Sequence, residues 1–338
     1  MKVSKVEAVS AILLVGGFGT RLHPLTLQTP KPMLPVAGAP LTEHQIEKAR
    51  AAGIKQIVLA TSFRAEVFEP YFGNGERFGI EISYAVEKSA LGTGGAIANA
   101  AKLLTGNGPV VIFNGDVLSG HDLKAQMDLH NSGAADVTLH LTQVSDARAF
   151  GVVEMQGDRI LTFNEKMENP PTNIINAGCY IFNRNVIDSI PHDRIVSVER
   201  ETFPSLIATG SKILGYVDSA YWLDIGTPVA LLKATTDLIS GHAQSITFER
   251  LLAGDQFFIR AGSLIARSAV IDPTANIEAG SMISAGANIQ AGARIAGSII
   301  GEAATVGSDA FLTGTFVAPN TQIPGGFIAE NEFFGFFK

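Results

Sequence analysis

Up to about residue 240, short apolar runs alternate with stretches in which apolar residues return at helical spacing. That alternation predicts an α/β domain. The expected strands are Val9–Val15, Gln56–Ala60, Glu81–Ala85, Val110–Phe113, Val137–Leu141 and Cys179–Phe182. The expected helices are Leu41–Ala52, Gly95–Leu104, Asp122–Asn131, Glu199–Ala208 and Val229–Ile239. Thr227 before Pro228 gives the last of these an N-cap and then Pro at the first helical position.

From Ser263 the period changes. Ile265, Ile271, Ile277, Ile283, Ile289 and Ile295 follow one another every six residues, separated by small and polar residues. The phase then slips by one, and Val306, Leu312, Val317 and Ile323 continue approximately. An amphipathic helix would repeat near 3.6, so a short left-handed parallel β-helix of hexapeptide repeats is expected. No single repeat buries its apolar residue alone, so the coils must stack. The chain is thus expected to divide into an α/β domain over 1–240, a linker over 241–262 and a β-helix domain over 263–338. Its end carries Phe327, Phe333, Phe334, Phe336 and Phe337, too many aromatics to leave in water. They would cap the last coil or enter a partner subunit; the expectation favours a homo-oligomer held through the β-helix and this tail.

The 338 residues are 46% hydrophobic and 17% charged, a globular composition. A net charge of −7 offers no general basic surface for nucleic acid or anionic membrane, so an anionic ligand would need local cations. A single cysteine, Cys179, excludes an internal disulfide and suits a reducing compartment. No apolar run approaches a membrane span, and Glu7 interrupts a faintly signal-like start, so the cytoplasm is the expected location.

Candidate chemistry begins where the first strand ends. Val15 leads into Gly16, Gly17 and Gly19, then Thr20 and Arg21, with Lys31 between two prolines ten residues on. Glycines let backbone N–H groups converge on phosphate oxygens, and the two cations clamp the rest of a polyphosphate. A P-loop needs a Lys at a spacing absent here, and a dinucleotide turn needs a small residue where Leu22 stands. Further on, Asp116 leaves a buried strand and Asp224 precedes a helix. Two carboxylates with phosphate oxygens and water would make a shell for Mg²⁺. Each Asp alone also suits a turn or a cap.

The pattern Gly-Gly-x-Gly-Thr-Arg followed by Pro-Lys-Pro resembles the signature of the sugar-nucleotide pyrophosphorylases, nucleotidyltransferases that make NDP-sugars. The resemblance runs from residue 9 to about 240 and continues through Phe150-Gly151-Val152-Val153-Glu154, Glu165-Lys166 and Asn176-Ala177-Gly178-Cys179-Tyr180 in the family's order. It implies a Rossmann-like mixed sheet, with Arg21, Lys31, Lys166 and Asp116 as the catalytic set and Asp116 and Asp224 as metal ligands. It further implies a sugar phosphate held by Asn114, Gly151, Glu165, Lys166, Asn176 and Gly178. Met167 stands where the family often has Pro, and His23 where many relatives have Arg; a mostly neutral His there would weaken triphosphate binding or make it pH-dependent.

The base would be read near Glu87, Gly92 and Thr93. Uridine- and thymidine-using relatives usually carry Gln at the position of Glu87. Guanine offers two adjacent donors that a carboxylate accepts in parallel, so Glu87 favours GTP. The alternative leaves Glu87 in solvent and gives the base to backbone around Gly92. Taken together, the resemblance implies transfer from GTP to α-D-mannose 1-phosphate, with a pyrophosphorylase for another sugar or base, or a non-catalytic regulatory paralogue, as rivals. An acyltransferase β-helix is disfavoured because residues 263–328 contain no His to act as base. The histidines at 44, 121, 130, 140, 192 and 242 show no metal-ligand spacing and receive no role.

Overall fold

Strand runs that are apolar on both faces belong in a parallel sheet covered on both sides, and the first, second and fourth strands have that composition. The computed structural model describes residues 8–62, 65–87, 89–192 and 194–336. Lys88, in the base-reading segment, Glu7 and Phe337 lie outside them. By contacts the chain divides into two units, residues 1–17 with 45–222, and residues 18–44 with 223–338.

The first unit is built on nine strands: β1 Ser10–Leu14, β2 Gln56–Thr61, β3 Glu81–Val86, β4 Val110–Asn114, β5 Val137–Gln143, β6 Gly151–Gln156, β7 Arg159–Glu165, β8 Ile174–Phe182 and β9 Ile213–Val217. Their order is β3-β2-β1-β4-β8-β5-β9-β7-β6. β3, β2, β1 and β4 are mutually parallel, and β8 enters antiparallel between β4 and β5, so the sheet is mixed as expected. Ile12, Val58, Ile112, Leu139 and Tyr180 are all fully buried in one core.

Three strands escaped prediction. In β7 a bulge between Ile160 and Thr162 breaks the two-residue alternation, so Ile160 and Phe163 are both buried three positions apart. Its hairpin partner β6 went unread with it. In β9 a glycine weakens the signal, yet a Cβ on Gly215 would stand 2.5 Å from Leu141 Cδ1.

Helices α1 Leu41–Ala51 and α3 Leu123–Ser132 fall where expected, the latter with Asp122 accepting from the N–H groups of Lys124 and Ala125. Helix α2, Gly92–Ala101, starts three residues before the predicted Gly95. Glycine disfavours helix, but here it permits contact: a Cβ on Gly94 would lie 2.8 Å from Val196 Cγ1. The expected Glu199–Ala208 helix is a π turn, Val198–Thr202, followed by an α-helix, Phe203–Ala208.

Three of the unassigned histidines are buried in this unit. His121 and His140 stack with centroids 3.7 Å apart, and Lys48 Nζ donates to His121 Nδ1 at 3.0 Å. His130 lies between Thr138 Oγ1 and Asn183 Oδ1. Burial pushes all three imidazoles down, His140 to about 3, and brings the Lys48 ammonium to about 8.

In the second unit, helix α4, Pro228–Ile239, begins at Thr227, whose hydroxyl accepts from Ala230 N–H at 3.2 Å. The sequence groups this helix with the α/β part; it belongs here because Thr235 receives Ala37 N–H and Thr236 donates to Gly280 O. Residues 241–262, expected as linker, hold helix α5, Ile246–Ala253, and a strand, Phe257–Arg260, that pairs antiparallel with Ser263–Ala266. Arg250 joins α5 to Glu43 through an ion pair.

The repeats then form a left-handed β-helix of three parallel ladders. Ile265 pairs with Ile283, eighteen residues on, whereas Ile283, Ile300, Val317 and Phe334 follow at seventeen. The phase slip in the sequence is therefore one short corner per coil, turned by left-handed residues Gly297, Gly314 and Asn331. In the tail, Phe333–Phe334 is the last strand of a ladder; Phe333 stacks on Phe316 and Phe334 meets Phe327 edge-on. Among the described residues no helix is long and apolar enough to cross a membrane.

Candidate active site

Strand register assembles the first part of the site. Leu14 pairs with Ala60 on one side and Asn114 on the other, and Thr61 pairs with Val86. Four parallel strands thus end side by side, releasing Val15–Gly17, Ser62, Glu87 and Asn114–Asp116 along one edge, where open α/β sheets bind ligands. Val15 is fully buried, so it contributes backbone. Gly17, at φ 112°, donates its N–H to Ser62 Oγ at 3.3 Å. A Cβ on Gly16 would come within 2.6 Å of that hydroxyl, so Gly16 and Ser62 fit only as a pair. Ser62 went unread; its signal is a polar residue at the end of an apolar run.

Glu87 accepts from Leu91 N–H at 3.3 Å, and burial pushes its carboxyl up. It is therefore folded against the loop into α2 rather than free in solvent. Thr93 donates to Glu199 Oε2 at 2.8 Å and accepts from Val198 N–H at 2.9 Å, which ties α2 to the π turn. Gly92, at φ 73°, packs there too: a Cβ would stand 2.4 Å from Val196 O.

The sugar-phosphate candidates fall in two groups. Gly151 pairs with Glu165 across the hairpin, and a Cβ on Gly151 would meet Phe163 and Glu165. Lys166, at φ 51°, holds its N–H on Phe150 O and places Nζ 3.8 Å from Glu165 Oε1. Burial first, and Glu199 second, push the Glu165 carboxyl up, against the pull of Lys166. Lys166 and Met167 line an open cavity of about 570 Å³ with Arg148, Glu168 and Asn169. In the other group, Asn176 and Asn114 donate their amides to Tyr180 Oη at 2.8 and 3.4 Å, and Gly178 donates its N–H to Asn176 Oδ1. Tyr180 ends the segment 176–180, and its buried phenol gathers Asn114 and Asn176 and, through Asn176, Gly178.

In the second unit Thr20 opens a 3₁₀ turn through Arg21 and Leu22, with Thr20 and Arg21 exposed and Leu22 buried. Gly19, at φ 59°, would bring a Cβ to 3.1 Å from Lys31 Cβ, so its lack of side chain draws Lys31 to the loop. Lys31 Nζ lies 3.7 Å from Asp224 Oδ1. Arg21 packs its guanidinium over Gly226, where a Cβ would stand 3.0 to 3.2 Å from it. Gly226→Ala should therefore displace Arg21 while leaving the fold. The expected result is about a tenfold fall in kcat/KM with the unfolding temperature nearly unchanged. Unchanged kinetics would mean that Arg21 works from elsewhere.

Among the described residues no three His, Cys, Asp or Glu side chains gather as a metal site. Asp116, half-buried in the turn after β4, and Asp224 supply hard oxygen donors, the type Mg²⁺ takes beside substrate phosphates and water. Their chemistry fits that ion.

A family profile described as Nucleotidyl transferase matches residues 10–241. A mannose-1-phosphate guanylyltransferase from Mycobacterium tuberculosis is 46% identical over 95% of this chain and 83% of its own length. Mannose-1-phosphate guanylyltransferase 1 from Arabidopsis thaliana is 36% identical over 80% of this chain and 73% of its own. Among solved structures, HddC from Yersinia pseudotuberculosis complexed with GMP-PN aligns with TM-score 0.57 and 28% identity, over 67% of this chain and 97% of that one. The chain belongs to the nucleotidyl transferase family.

Proposed function

We propose that this protein transfers GMP from GTP to α-D-mannose 1-phosphate, releasing pyrophosphate and GDP-mannose. The observation that carries the proposal is the 46% identity, over nearly the whole chain, to a relative named for that reaction. The site residues agree with it. An oxygen of the sugar phosphate attacks the α-phosphorus, the new P–O bond forms, and the bond to the β-phosphate oxygen breaks opposite it. The nucleophile is already ionised, so no general base is required.

Catalysis then consists of positioning and charge neutralisation. Arg21 and Lys31 hold the triphosphate, the backbone of Gly16 and Gly17 approaches it closely, and Lys166 neutralises the sugar phosphate. Asn176, Gly151 and Glu165 hydrogen-bond sugar hydroxyls. Asp116 and Asp224 are the carboxylates for a divalent ion, Mg²⁺ in this proposal, which would neutralise charge on the phosphates when bound. Glu87 reads guanine: its Oε2 already accepts from Leu91, and the carboxylate keeps capacity for the base donors.

Pyrophosphate release should be measured for GTP, UTP, dTTP, CTP and ATP against several sugar 1-phosphates. Turnover concentrated at GTP with mannose 1-phosphate is expected. Glu87→Gln should lower kcat/KM for GTP about tenfold or more, since a site built for a donor pair loses one acceptor. Preference for UTP or dTTP in the unmodified protein would discard the base assignment, and silence with GTP bound would favour a regulatory paralogue.

A further inference from the structure

Gln45 lies in α1 and is only 5% exposed. Its Nε2 donates to Asn114 O at 2.7 Å and to Val117 O at 3.0 Å. These two carbonyls flank Gly115 and Asp116. One amide nitrogen, with its two hydrogens in a fixed fork, therefore spans the turn that presents Asp116. The same turn is held from the sheet side, where Gly115 N–H donates to Leu14 O at 3.0 Å. One helical turn beyond Gln45, Lys48 Nζ donates to Ser119 O at 2.7 Å, so α1 grips the segment again on its far side.

The amide can sit only one way round, because the reverse orientation would set Oε1 against two carbonyl oxygens. In the orientation adopted, Oε1 is buried with no hydrogen-bond partner among the described residues. A buried acceptor without a donor is unfavourable. Local packing would therefore be served as well by an apolar side chain of the same length. What glutamine adds is the pair of bonds across the turn.

We propose that Gln45 is a positioning residue for Asp116, fixing the Asn114–Val117 turn so that the carboxylate meets the metal–nucleotide complex; this rests on the assignment of Asp116 made above. A displacement of about 1 Å at such a group can lower the rate about 100-fold.

The test uses the full chain with Gln45→Met, Gln45→Glu and, in parallel, Asp116→Asn. Met keeps the length and removes both donors together with the unpartnered acceptor. Glu keeps the shape and loses at least one donor. Binding of Mn²⁺ in the presence of GTP, without sugar phosphate, is read by water-proton relaxation, beside steady-state kinetics and thermal unfolding. Both Gln45 variants should weaken Mn²⁺ binding about tenfold or more and lower kcat by a similar factor. KM for the sugar phosphate should stay within about twofold, and Gln45→Met should unfold close to the unmodified protein. Wild-type Mn²⁺ binding in both Gln45 variants, with binding lost in Asp116→Asn, would overturn the positioning role alone. Wild-type Mn²⁺ binding in Asp116→Asn would overturn the assignment of Asp116 and the proposal with it.

Discussion

Asp116→Asn and Arg21→Ala are each expected to lower kcat by about 10²–10³ while the protein stays folded, the range found when one preorganised contact to developing charge is removed. Asp116 sits half-buried in a turn whose shape depends on backbone bonds at Gly115, Asn114 and Val117, and Asn preserves the side-chain volume. The structural consequence should be small and the electrostatic one large. Arg21 is exposed, so truncating it removes little packing. Pyrophosphate release at saturating substrates, beside the unfolding temperature, separates the two effects. Near-wild-type turnover in folded variants would remove both residues from the catalytic set.

Stability should fall steeply in acid, and for a cause separate from catalysis. Burial lowers His140 to about 3 and His44, held between Ser245 Oγ and Val36 O, to about 4. In the unfolded chain both protonate near 6.5. Below that pH the unfolded state binds more protons than the folded one, so stability declines as pH falls. Each such histidine contributes about 1.4 kcal/mol per pH unit, or about 2 kcal/mol at pH 5. The decline begins near pH 6.5 and ends for His44 near 4 and for His140 near 3. His121 and His130 act in the same direction. His140→Phe keeps a flat ring against His121 and removes one titrating group. The stability lost between pH 7 and pH 5, read by urea unfolding, should then be smaller by about 2 kcal/mol. Parallel curves for the two proteins would show that His140 takes no part.

These histidines also mark a limit of the sequence. Spacing says nothing of burial, and the stack of His121 on His140 joins a loop to the middle of β5. The parallel strands β1, β2 and β4 were legible because they are apolar on both faces and few other arrangements bury such runs. The hairpin of β6 and β7 was not, because a bulge replaces alternation by a three-residue step. The start of α2 was hidden because its glycines are chosen for contact with Val196, and local propensity opposes them.

Within the candidate site, the glycine loop, Arg21, Lys31 and the two aspartates are candidates that sequence alone nominates: spacing along one loop or at a strand end is a local property. The repeat was equally plain, since each coil must place an apolar residue inside at a fixed interval, and even the phase slip corresponds to a corner. Ser62, Gln45 and Tyr180 could not be read. Each acts through a partner 45 to 69 residues away, Ser62 on Gly17, Gln45 on Asn114 and Tyr180 on Asn114. Sequence by itself determined the α/β class and the repeat, and it nominated the charged residues proposed to hold a polyphosphate, because those follow from periodicity and residue type. Tertiary structure alone decided which neutral side chains hold them in place, because a hydrogen bond between distant segments exists only once the sheet has set their register.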